Sequence, residues 1–192
     1  MKLFHYTLGI KLESIFASGV IRTSPIKPKF PEKPIAWLSK NPVFENSALK
    51  VGIMPGSGDS RIMTLEEMEM HGQGLYRLVF DSEVVEVEVL PWSLLRPRCK
   101  AKPKIIKRLL DRAKSASSNP EEWFGTVDQE LPVTTATLEV ASIQPDGKLQ
   151  WRPVHRPGFI DSSRVLEVTV EQAKEIGFRV NCTDETWAQI KD

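Results

Sequence analysis

A proline at every third position from 25 to 34 rules out both regular backbone structures for that stretch. Each proline lacks an amide hydrogen and holds its φ near −65°, so neither a helix nor a strand ladder can run through it, and the segment reads as an extended connection. What it connects is thereby framed. Before it, residues 2–6 read as a strand. Leu12, Ile15 and Phe16, interleaved with Lys11 and Glu13, read as a short amphipathic helix closed by Gly19 at the C′ position. After it, Ile35 to Ser39 reads as a buried strand. His5 and Ser39 thus place one polar group on each of two strands otherwise built for burial, where a polar atom needs a partner that a ligand can supply. Together they predict a pocket with His5 on its floor. The alternative for His5 is a core histidine whose ring is satisfied by a backbone carbonyl.

Asn41-Pro42 reads as an N-cap followed by proline at the first helical position, opening a helix through Phe44, Ala48 and Leu49. Glu45 falls in its first turn, where the helix dipole favours negative charge, and it is either a helix-start residue or a site residue close to Ser39. Thr64 to Met70 starts as a capping box. Residues 75–80 and 84–90 carry the clearest strand patterns, the second alternating apolar and acidic side chains. Residues 133–143 read as a long strand that turns at Pro145-Asp146-Gly147 and returns over 149–154. Residues 165–170 read as a last strand, and an amphipathic tail from Glu171 to the end at 192 opens as a helix. Strands separated by short helices and long loops, with hairpins crowded into the second half, predict an α+β fold in a single domain.

With 26 Lys and Arg against 25 Asp and Glu, the net charge of +1 gives no global field toward nucleic acid or an anionic membrane. Basic character is local instead. Residues 96–114 carry Lys or Arg at 96, 98, 100, 102, 104, 107, 108, 112 and 114 against the single acid Asp111, with Ile105, Ile106, Leu109 and Leu110 at helical spacing. That run is either the solvated face of an amphipathic helix or a contact surface for an anionic partner. The apolar stretches are strand-sized and the chain enters structure directly after Met1-Lys2, so the expectation is a cytoplasmic protein with no membrane span and no signal peptide. Cys99 and Cys182 have no metal-ligand spacing, and no metal site is expected. Sequence signatures of the common nucleotide, dinucleotide, esterase and zinc-protease sites are missing.

The order His5-Tyr6-Thr7, a helix ending in Ser18-Gly19, then Ala36-Trp37-Leu38-Ser39 resembles the N-terminal half of the ADP-ribosyltransferase-like fold over residues 3–50. The resemblance extends to tRNA 2′-phosphotransferases and to DNA-modifying ADP-ribosyltransferase toxins. It implies split antiparallel β-sheets with short peripheral helices, and an NAD-dependent transferase acting on a macromolecular acceptor, protein or nucleic acid, as a toxin or phage–host conflict factor. NAD, as substrate, would lie across the first two strands. In that arrangement His5 takes a ribose hydroxyl with Tyr6 and Thr7 beside it, and Ser39 stands at the nicotinamide ribose. Tyr6 or Trp37 would stack on a ring, their alternative being core packing, and Arg77 would meet the pyrophosphate, its alternative being an inter-strand ion pair. Breaking the glycosidic bond builds positive charge on the ribose, so a carboxylate is needed there. Glu130, just before the long strand, is the first candidate and Glu45 the second. A 2′-phosphotransferase would need basic residues around His5, which Phe4, Tyr6 and Thr7 do not supply. The rival from another class is a non-catalytic binding protein with the same fold, acting through residues 96–114.

Overall fold

The structure, a computed structural model, describes residues 1–23, 31–53 and 60–154. The strand expected at 165–170 and the tail helix from Glu171 lie outside the described residues, as do positions 24–30 of the proline-rich connection. The chain divides into two units, one of residues 1–49 with 64–154 and a second that includes residues 50–53 and 60–63.

The first unit opens with β1 (Lys2–Leu8), α1 (Gly9–Ser18), β2 (Val20–Ile21) and β3 (Ile35–Ser39). Taken by itself, the second unit shows an antiparallel pair, β4 (Val51–Ile53) with β5 (Ser60–Ile62). The first unit then resumes with α2 (Leu65–His71), β6 (Leu75–Asp81), β7 (Leu90–Pro91), α3 (Trp92–Arg98) and α4 (Pro103–Ser115). It closes with β8 (Trp123–Val127), β9 (Leu131–Pro132), β10 (Thr137–Ile143) and β11 (Leu149–Pro153). Seven of these strands form one antiparallel sheet in the order β11-β10-β6-β1-β3-β8-β7, and β2 pairs separately with β9. The protein is therefore α+β with a large antiparallel sheet.

Strand alternation sorts the side chains onto two faces. On one face Leu3, Leu38, Leu78, Phe80 and Leu138 pack with Leu12 and Ile15 of α1 and with Leu131 of β9. On the other, Ile35 and Trp123 pack with Trp92 and Leu95 of α3 and Ile106 and Ala113 of α4. Each large apolar side chain so buried contributes about 1.5–3 kcal/mol, and the two clusters hold the sheet from both sides.

Local chemistry fixes the element ends. Leu8 offers α1 no side-chain cap, and the amides of Gly9 and Ile10 are instead satisfied by the carbonyls of Gly74 and Gly72, both at 3.1 Å. A side chain at position 9 would meet the Gln73 carbonyl oxygen at 2.1 Å, so only glycine allows that approach. Gly19 ends α1 at φ 71°, as its position predicted. The Thr64 capping box forms with Glu67.

Four expectations changed. The strand expected over 133–143 starts only at Thr137, because residues 133–136 form a turn in which the Ala136 amide donates to the Val133 carbonyl at 3.2 Å. The helix expected from Asn41 is only the 3₁₀ turn Asn46–Ala48, because the carbonyls an α-helix would use are already taken. Those of Asn41, Pro42 and Val43 accept from Tyr6, Arg77 and Trp151, and the Ser47 amide goes to the Glu45 carboxylate. The strand expected over 84–90 shrinks to Leu90–Pro91, because both edges of β6 are occupied, by β1 and by β10, which leaves a hairpin return nothing to pair with. Val85, Val87 and Val89 still pack on the core, so the alternation reported burial without a ladder. The basic run 96–114 spans two helices, parted where Lys100 turns left-handed at φ 52° ahead of Pro103.

Candidate functional site

The Ser39 hydroxyl, at the C-terminal end of β3, donates to Glu45 Oε2 at 3.1 Å and accepts the Asn41 amide at 3.1 Å. The other oxygen of Glu45 takes the Ser47 amide at 3.0 Å and the Ser118 hydroxyl, and Trp123 Nε1 donates to Ser118 at 3.1 Å. Ser118 follows Ser117, which is held at φ 52° beyond the end of α4. A buried carboxylate surrounded by three donors is a cross-brace, here joining residue 45 to residue 118. Ser39 is 1% and Glu45 6% exposed, so these two residues, expected to lie together, do so, but inside the protein.

Beside them, Arg77 lies 4.5 Å above the Phe4 ring and 4.4 Å from the Trp151 ring centre. Its Nε and Nη2 reach Glu139 on the neighbouring strand at 2.6 and 2.5 Å, and its Nη1 holds the Pro42 carbonyl. It is therefore half of an inter-strand ion pair, the plainer of its two expected readings. Tyr6 packs against Phe4, Phe44 and Trp151 while its hydroxyl donates to Asn41 O. Burial pushes the Tyr6 phenol above its ordinary range, against the lowering effect of Arg77.

The other expected site residues are dispersed. Phe4 is directly opposite Ser39, so Ser39 shares the Phe4 face of the sheet, whereas His5 and Thr7 point to the opposite face with Leu3. His5 Nδ1 is 2.9 Å from the Trp37 carbonyl; a carbonyl can only accept, so that nitrogen carries the proton. Trp37 packs tilted against Trp92 and edge-on against Trp123, at centroid distances of 5.8 and 5.7 Å, half-buried against the core. Glu130 is exposed and follows Val127, the partner of Ile35, which puts it beyond the end of β3 away from Ser39. Four strand steps separate Ile35 from Ser39, about 13 Å.

A second candidate lies on α3 and α4. A groove of about 460 Å³ between them is lined by Pro97, Ala101, Pro103, Ile106 and Leu110, with Arg96, Lys107 and Asp111 as its charged residues. Arg98 pairs with Glu88, and Arg112 holds the Leu49 carbonyl at 2.7 Å. The other seven cations of the segment, Arg96, Lys100, Lys102, Lys104, Lys107, Arg108 and Lys114, are all exposed. Lys102 caps α4 without a side-chain hydrogen bond, and no acid stands in the first turn.

No protein-family model, curated protein or solved structure matches this chain.

Sequence reasoning did not find Ser118, Trp123 Nε1 or the Glu139 and Trp151 partners of Arg77. Ser118, Glu139 and Trp151 lie 73, 62 and 74 positions from the residues they serve, and no local pattern marks contacts of that separation; Trp123 is only five positions from Ser118, but its role depends on Ser118 having reached Glu45. The groove was half visible, since the charges and helical spacing of 104–114 were legible but α3, with Pro97 inside it, was not.

Proposed function

We propose that the protein is a binding module that engages an anionic macromolecule through the α3–α4 surface. The observation that carries this reading is the placement of Lys100, Lys102 and Lys104, all exposed, around the N-terminus of α4. The helix dipole makes that end electropositive, and a cation there costs about 0.3–1 kcal/mol. Three cations where the helix favours acids leave a field that an anionic partner offsets. The test is fluorescence anisotropy with two labelled polyanions, a polyglutamate and a single-stranded oligonucleotide, across a salt series. Binding at low salt that weakens steadily with added salt is expected, with at least a tenfold loss in the triple variant Lys100→Glu, Lys102→Glu, Lys104→Glu. A wild type that binds neither polyanion at low salt overturns the reading.

A second reading is NAD-dependent ADP-ribosyl transfer to a protein or nucleic acid by an ADP-ribosyltransferase-like fold. One observation favours it: Ser39 and Glu45, both expected at the nicotinamide ribose, are in contact. As packed, the two residues do not fit a dinucleotide, since both are buried and their polar atoms are turned on Asn41, Ser47 and Ser118. Thermal unfolding with millimolar NAD decides it, by mass action on the folded state. A midpoint raised in the wild type and not in Ser39→Ala supports the transferase; an unchanged wild type removes it.

A further inference from the structure

We infer that the groove between α3 and α4 docks a short acidic peptide segment through aliphatic anchor residues. The inference rests on the anionic-partner reading above and names the partner's class. Two features of the groove select it. The floor, from Pro97, Ala101, Pro103, Ile106 and Leu110, is aliphatic and offers no side-chain donor or acceptor, so what fills it must be apolar. The rim is cationic, from Arg96 and Lys107 within the lining and from exposed Lys100, Lys102, Lys104 and Arg108 around it. An apolar centre with acidic flanks is the chemistry that complements both.

A nucleic acid satisfies only the rim. Single-stranded bases bind by stacking on aromatic faces, and the residues lining this groove include no aromatic ring. Phosphates laid along the lysines would leave the exposed Pro97 and Pro103 and the half-buried Leu110 facing sugar edges with nothing apolar to cover them. The groove is an open cleft of about 460 Å³, room enough to seat a pair of aliphatic side chains without enclosing them. Asp111 stands one helical turn after Lys107, close enough to offset part of its charge, so a partner's carboxylates are better placed at Arg96 and the exposed lysines at the N-terminal end of α4 than beside Asp111.

The experiment is selection of a displayed random 12-residue peptide library on the full chain, with anisotropy of a random-sequence RNA in parallel. Enriched peptides are expected to carry two aliphatic residues flanked by Asp or Glu. Their binding should fall at least tenfold in Lys107→Glu, an exposed position that leaves the core intact, and at least tenfold in Leu110→Asp. Two further peptides serve as controls: replacing the aliphatic pair of an enriched clone by serine should abolish binding, and replacing its acids by lysine should do the same. Salt-sensitive RNA binding with no peptide enriched overturns the peptide inference and leaves the anionic-partner reading standing. Enriched peptides that are not acidic, or that bind Lys107→Glu as well as wild type, also overturn it. Binding of neither library nor RNA overturns both.

Discussion

Arg77 holds together parts of the chain that no single strand pairing joins. Its guanidinium is sandwiched by rings from β1 and β11, paired with a carboxylate on β10 and hydrogen-bonded to the loop after β3. Removing one member of a buried pair strands the other charge, at a cost of about 3–5 kcal/mol. Glu139→Gln is therefore expected to lower the urea midpoint by that equivalent, and Arg77→Lys, which keeps the charge but loses the planar fork, to lower it less. Tyr6 sets a pH dependence. Its phenol titrates higher in the folded protein than the ordinary value near 10. Both states hold the proton below that value, and above it only the unfolded chain releases it, so stability falls as pH rises past about 10. The advantage of wild type over Tyr6→Phe in unfolding free energy should shrink between pH 9 and pH 11; a constant difference would contradict the assignment. Residue by residue, the site was partly legible. The closeness of Ser39 and Glu45 could be read from six positions of sequence, and the two readings of His5 included the carbonyl it meets. That His5 and Ser39 face opposite ways could not be read, since it follows from the register Phe4↔Ser39 and from no feature of either strand alone.

Among the elements, α4 trades stability for its surface. Lys104→Glu converts a repelled cation into an acid favoured by the dipole, and about 0.5–1 kcal/mol of added stability at low salt is expected from chemical denaturation, together with weaker polyanion binding. A stabilised variant that binds as well as wild type would separate that charge from function. β8 is constrained at Gly125, paired with Trp37, where a Cβ would meet Ala36 O at 2.5 Å and Ile35 Cγ2 at 2.9 Å. Gly125→Ala should therefore destabilise by about 1–3 kcal/mol, as overpacking does, and loosen the β3–β8 pairing in hydrogen exchange. Element legibility followed the range of the forces involved. β1, the Gly19 stop, the Thr64 capping box and the turn at Gly147 are decided within a few residues and were read correctly. The helix after Asn41 and the strand over 84–90 obey local rules equally well, but lost to distant competitors: side chains that took the helix's carbonyls, and β10, which took the β6 edge.

For the molecule as a whole, the sheet order makes folding slow. β1 pairs with β6, some seventy residues on, and β3 with β8, nearly ninety on, so loop closure precedes most of the ladder. Fourteen prolines add isomerisation in the unfolded chain, on a scale of tens to hundreds of seconds. Refolding from urea, followed through the Trp37, Trp92 and Trp123 cluster, should show a slow phase that a prolyl isomerase accelerates; a single fast phase would rule this out. The loop after β3, residues 41–43, is strapped to the sheet by the side chains of Tyr6, Arg77 and Trp151. They grip it through main-chain carbonyls, which every amino acid carries. Mutational drift can therefore rewrite the outward side chain of Val43, 60% exposed, without loosening the strap, while selection must preserve the three donors beneath it. In divergent descendants of this chain, the sequence history of the loop and that of the sheet should run at different rates.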